Sequence, residues 1–181
     1  MRLCALLVSA LLVAPVLAGC GGKNKSSEQQ AAATWANGLC QSFVTWQSNV
    51  KSAATKVTAG KVSKSSLQTA GVAIADANTK LADDLEGLGK PPTPASKEAK
   101  AAITDLADSL RKNAADIKKA AAGASSTQDV VAAVSKISGA LAAMGDDLSV
   151  AASKLQGLGH QDTWKKAFAD SEACQKLANG G

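Results

Sequence analysis

Few side chains in this chain of 181 residues carry chemistry, and they stand far apart. The one histidine, His160, sits in "GLGHQD", beside Gln161 and Asp162. General base catalysis needs such a group within hydrogen-bond reach of the proton it takes, next to a nucleophile that it activates. No serine or cysteine stands in a recognisable nucleophile setting here. Asp83, Asp84 and Glu86, and the pair Asp146 and Asp147, look at first like paired carboxylates. Consecutive helical positions diverge by about 100°, so these groups fan out and read as solvated faces. Glycine-rich phosphate loops, zinc spacings and calcium loops are absent from the sequence. No catalytic residue, metal or cofactor is therefore expected, and a hydrolase built on His160 is the least favoured reading.

The cysteines are more informative. There are four, at 4, 20, 40 and 174. Arg2, the apolar run "LCALLVSALLVAPVLA" from Leu3 to Ala18, and the small residues Ala18, Gly19 and Cys20 follow the three-part plan of an export signal. The run is shorter than the roughly 20 residues that span a bilayer comfortably, so cleavage is expected rather than a permanent transmembrane anchor. Leu17-Ala18-Gly19-Cys20 resembles the lipobox of bacterial lipoprotein precursors. That resemblance implies a diacylglyceryl group on the Cys20 sulfur, cleavage just before it, and a chain held at the extracytoplasmic face of the cell membrane. Two acyl chains suffice for stable anchoring where one gives only marginal binding. Cys4 would leave with the leader, residues 1–19. Residues 20–30 then form the lipidated cysteine and a polar tether, "GGKNKSSEQQ", of flexible-linker composition. Residues 31–181 form the domain.

Outside the cytosol, Cys40 and Cys174 are expected to pair, because thiols there oxidise and two of them permit a single intramolecular bridge. Trp35, Phe43 and Trp46 surround the first of them in sequence, and Trp164 and Phe168 precede the second. The first and last helices should thus be neighbours, with rings packed between them and the bridge at the seam's edge. A reactive thiol is disfavoured, for want of a C-x-x-C partner or a local basic cluster.

The elements that must position these residues all read as helices. Trp35, Leu39, Phe43, Trp46, Val50, Ala54 and Val57 make one apolar stripe, broken near Gly60. Leu67, Gly71, Ile74, Asn78, Leu81, Leu85 and Leu88 make a second, ended by "GLGKPPTP". Thr93 and Pro94 start a third helix as N-cap and first residue, with Ile103, Leu106, Leu110, Ala114, Ile117 and Ala121 along it. Ser126 and Asp129 have the spacing of a capping pair for a fourth. Val130, Val134, Ile137, Leu141, Met144, Leu148, Ala151, Leu155 and Leu158 carry its stripe. Trp164, Phe168, Ser171 and Ala178 mark one short last helix. Strand signals are nearly absent, and short loops favour antiparallel neighbours. The expected fold is an all-α antiparallel bundle of four to five helices, its first and last joined by a disulfide.

Asn78 breaks its stripe. A polar side chain among leucines must find a partner or forfeit about 1–3 kcal/mol. It is expected to set the register of a helical seam, or else to touch a ligand in a bundle cavity.

The formal charge of +5 is spread along the chain rather than clustered, which excludes a nucleic-acid footprint. The alanine content, "WANGLC" and the C-terminal Trp-to-Cys segment resemble the small alanine-rich helical lipoproteins of actinobacteria, a group that implies no mechanism. The favoured expectation is a non-catalytic interaction module at the membrane with an envelope protein as partner. The alternative is a carrier or sensor of a small apolar ligand.

Overall fold

The computed structural model describes residues 23–58, 63–92, 96–157 and 161–179. Cys20, the expected leader, Gly60, Thr93, Pro94, Leu158 and His160 lie outside them. Six helices follow in order: α1 (Lys23–Thr58), α2 (Lys64–Gly87), α3 (Ser96–Ala122), α4 (Thr127–Gly157), α5 (Gln161–Ala169) and α6 (Glu172–Ala178). There is no strand among the described residues, so the all-α bundle expected from periodicity is what the chain forms.

Two helix boundaries differ from expectation. α1 begins at Lys23, so residues 23–30 of the expected tether are helical. No glycine or proline interrupts the chain from Lys23 to Asn37, and Glu28, Gln29 and Gln30 lead into three alanines. Such residues extend a helix that packing further along has already nucleated. The expected single last helix is two. Ser171, placed on its apolar face by periodicity, instead caps α6 by accepting the Cys174 backbone N–H at 3.3 Å. A serine hydroxyl at that position satisfies an N–H that the helix start leaves unbonded, and the chain turns there.

Other caps follow the sequence. Ser126 Oγ accepts the Asp129 N–H, while the Asp129 carboxylate accepts the Ser126 N–H at 2.8 Å. Ser63 and Ser66 make the corresponding reciprocal pair at the start of α2. At the other end of α2, Gly89 adopts φ 68°, a left-handed conformation that glycine tolerates, and Pro91 follows.

Ion pairs fix the direction of α2 against α3. Arg111 bonds Asp83 and Glu86, and Lys118, seven residues later, bonds Asp76, seven residues earlier. The two helices are antiparallel. The core forms two main clusters along their length. One contains Trp35, Leu39, Leu81, Leu85, Ile103, Leu106, Leu110 and Met144, with Phe43, Trp46, Trp164 and Phe168 packed against it. The other is largely alanine, including Ala53, Ala75, Ala114, Ala121 and Ala133, together with Leu67, Ile74, Ile117 and Ile137.

The α2 stripe is buried as expected from Leu67 to Leu85, and the α3 stripe throughout. Other expected core residues are only half-buried or are exposed. Ala53 rather than Ala54 is buried in α1, and Val134 in α4 is 40% exposed. The α4 stripe expected from Val130 is a mixture because α3 and, more lightly, α2 are the helices that α4 approaches. Among the described residues no Cα of α1 comes within 8 Å of one in α4. Side chains bridge that interval.

Candidate functional site

The clasp between the chain's two ends is built as the cysteine count implied. Cys40 in α1 and Cys174 in α6 are bonded, with Cα atoms 5.0 Å apart across 134 residues of sequence. Around it, Trp35 meets Trp164 edge to face with ring centroids 5.4 Å apart, and Trp164 lies 5.9 Å from Phe168. The edge-to-face pair matches the positive edge of one ring to the negative face of the other. Ala32 and Ala36 pack against Ala167, and Ser171 Oγ donates to Asn37 Oδ1 at 3.0 Å. Thus α5 and α6 form an arm laid along the first half of α1.

Asn78 is fully buried in α2. Its partner is Trp46 of α1, whose indole N–H donates to Asn78 Oδ1 at 2.8 Å. Along α2 it falls between Ala75 of the alanine cluster and Leu81 of the ring-bearing one. A single hydrogen bond at that junction fixes α1 against α2, because sliding either helix by one turn would leave both groups buried and unbonded. The periodicity singled out Asn78, but nothing in it could name Trp46, which read as an ordinary core ring. Asn78 Nδ2 and the Trp35 indole N–H are buried without a hydrogen-bond partner among the described residues.

Trp35 also lines a cleft of about 540 Å³ between the start of α1 and the loop after α2, with Ser27, Gln30, Thr34, Leu88, Lys90 and Pro92. Among the described residues its lining is apolar at Trp35, Leu88 and Pro92, polar at Ser27, Gln30 and Thr34, and charged at Lys90. Gly38 explains why the loop can lean so close, since a Cβ there would meet Leu88 Cδ2 at 2.7 Å.

Of the carboxylates that looked paired, those of α2 are engaged in structure. Arg111 bridges Asp83 and Glu86, and Lys80 holds Asp84 at 2.8 Å. Its hydrogen bond from Arg111 lowers the Glu86 carboxyl below its ordinary value. Asp129 is pushed down to about 2, chiefly by the Ser125 and Ser126 hydroxyls that donate to it. No group of three or more metal-binding side chains converges among the described residues. No described helix is long and apolar enough to cross a membrane.

The remaining feature is a face rather than a pocket. α4 is the most apolar of the five longer helices, yet much of it is uncovered. Val131 is 67% exposed and Val150 54%. Gly139 and Gly145 open onto free space. The exposed side of α3 is, by contrast, dense with charge at Lys97, Glu98, Lys100, Asp105, Asp108, Lys112 and Asp116. Sequence periodicity found the inner stripe of α4 and missed this outer one, whose signal is a shortage of charge at exposed positions.

Comparison with known proteins finds no family model, no curated protein and no solved structure that matches the chain.

Proposed function

We propose that the protein is an extracytoplasmic lipoprotein, held to the cell membrane through lipid on Cys20, whose bundle is a non-catalytic interaction module. The uncovered face of α4 carries this reading. An exposed helix side with valines, glycines and alanines and few charges is costly to leave in water, and such patches mark interaction surfaces. The bridge between Cys40 and Cys174 supports the location, because disulfides persist in oxidising compartments. The lipobox-like residues Leu17-Ala18-Gly19-Cys20 supply the anchor.

A photocrosslinking residue at Val131, compared in intact cells with one at Lys112 on the charged side of α3, tests the reading. Protein adducts from Val131 and none from Lys112 are the expected result. Adducts from neither site would contradict it.

The cleft beside Trp35 favours a second reading, a carrier of a small amphiphile with its apolar part against Trp35 and its polar end near Lys90. Its volume falls in the range of roughly 300–1,000 Å³ common for small-molecule sites. Native mass spectrometry of the purified chain should then show a bound molecule that Lys90→Glu weakens. A chain without any adduct would count against this second reading alone.

A further inference from the structure

The outer side of α4 has an order of its own. Ala132, Lys136, Gly139, Ala143, Asp146 and Val150 follow one another at intervals of four, three, four, three and four, and all six are exposed. That alternation is the spacing a helix pair needs for its seam, on a side of α4 turned away from its own core. Such a series is symmetric about its centre, here the level of Leu141, and what distinguishes this one is that the symmetry pairs a lysine with an aspartate. Gly139 and Ala143 stand two positions on either side, Lys136 and Asp146 five, Ala132 and Val150 nine.

A two-fold axis through an antiparallel pair of α4 helices therefore sets each member of these couples against the other member in the second copy. Lys136 meets Asp146 of the second copy, and the symmetry repeats that ion pair. Between the two ion pairs, Gly139 meets Ala143, and the outermost layers join Ala132 to Val150. Antiparallel helix pairs match the two seam positions across the interface in this way, and isologous contacts require this self-complementarity.

Lys136 and Asp146 are free to serve. Neither has an ion-pair partner among the described residues, whereas Lys154 on the same helix bonds Asp105 of α3. Gly139 gives the closest approach, since even a Cβ built on it meets nothing within 4 Å. Small residues at the centre let helix axes come near 8 Å.

We propose that the side of α4 running from Ala132 to Val150 packs against the α4 of a second copy of this chain, antiparallel and centred on the level of Leu141, with Val131 and Gly145 beside that seam and not in it. The proposal rests on that face being the interaction surface and not on the lipid anchor. A single helix pair sits at the small, transient end of specific interfaces, below about 1,200 Å². Anchoring copies to one membrane raises their effective concentration and offsets that weakness. Because α4 runs toward the end of the bundle where α1 begins, the pair carries its two N-termini at opposite ends.

Charge reversal tests the register. In the full chain held in detergent micelles and followed by sedimentation velocity over a concentration series, K136D sets aspartate against aspartate twice, and D146K sets lysine against lysine twice. Each variant alone should dimerise about thirtyfold more weakly than the parent, as expected when two exposed pairs turn from attraction to repulsion. An equimolar mixture restores both ion pairs and should form a heterodimer as tight as the parent dimer. Gly139→Leu, which has room in the single copy, should abolish association while leaving the thermal transition in place.

A parent chain monomeric throughout the series overturns the proposal, as does association indifferent to both reversals, or a mixture no tighter than its components. If the parent stays monomeric while the crosslinker at Val131 captures a different protein in cells, the self-pairing falls and the interaction-module reading stands. If neither occurs, both fall.

Discussion

The two halves of the core solve the same packing problem with different materials. In one half, alanines bring helices together. Gly71 of α2 lies so near Ala121 of α3 that a methyl on it would collide with that alanine's own. In the other half the chain places all five of its aromatic residues, and α1 and α4 stand apart with side chains between them. Close seams need no fastening beyond shape, and they tolerate no added volume. The ring-filled half carries two further devices: a hydrogen bond from Trp46 to Asn78 at its border with the alanine half, and a covalent clasp from Cys40 to Cys174. The comparison teaches that this chain covers α1 partly by bonding its own C-terminal arm to it.

Removing the clasp should break that comparison most visibly. Cys40→Ser with Cys174→Ser is expected to lower stability by up to about 5 kcal/mol in the chain-entropy picture for so long a loop. Hydrogen exchange should rise first in α5, α6 and the facing part of α1, with α2 and α3 still protected. Uniform loss of protection would mean that the arm belongs to the common core.

Matched glycine substitutions sharpen the contrast. Gly71→Ala should cost about 1–3 kcal/mol in urea denaturation, because the methyl must displace Ala121 in a packed seam. Gly139→Ala, on the open face of α4, should instead gain up to about 1 kcal/mol from helix propensity alone. Equal effects would remove the distinction between covered and uncovered sides.

The hydrogen bond at the junction of the clusters comes next. Asn78→Leu should cost about 1–3 kcal/mol by stranding the buried Trp46 N–H. Adding Trp46→Phe should cost less on the Asn78→Leu background than on the parent, since the donor is already orphaned. Strict additivity would show that the two residues do not act as a pair.

The smallest effect is electrostatic. Asp129 titrates near 2 in the folded chain and near the ordinary carboxylate value when unfolded. Its charged cap therefore contributes fully above about pH 4. That contribution is lost as pH falls toward 2, because the unfolded state binds the proton first. Thermal melts in that window should fall less steeply for Asp129→Asn than for the parent.

Much of this fold was written in the spacing of apolar residues. Leu67 to Leu85 and Ile103 to Ala121 fall inside as their periods require, because each faces a neighbour along its whole length. Val134 lies outside despite a correct period, since periodicity reports which side of a helix is apolar and not whether a partner is there to cover it. The helical start at Lys23 was hidden because polar helix formers and linker residues share a composition. The helix break at Ser171 was hidden because a serine on an apolar face and a serine capping a new helix occupy the same phase, and Ser171 is buried either way. Cys40 and Cys174 were legible as a pair from number and compartment, and Asn78 as a buried polar group. Its partner Trp46, the cleft beside Trp35 and the uncovered side of α4 depend on which helices meet, and that is a property of the assembled bundle.

The central claim is that a lipid-bearing Cys20 begins the working chain and holds a disulfide-clasped bundle outside the cytosol. Intact-mass analysis of the protein extracted from cell membranes, before and after reduction, tests it most directly. The account predicts a chain starting at Cys20, heavier than its sequence by a diacylglyceryl group, with Cys40 and Cys174 alkylated only after reduction. A chain still beginning at Met1, unmodified at Cys20 and with free thiols at 40 and 174, would contradict it.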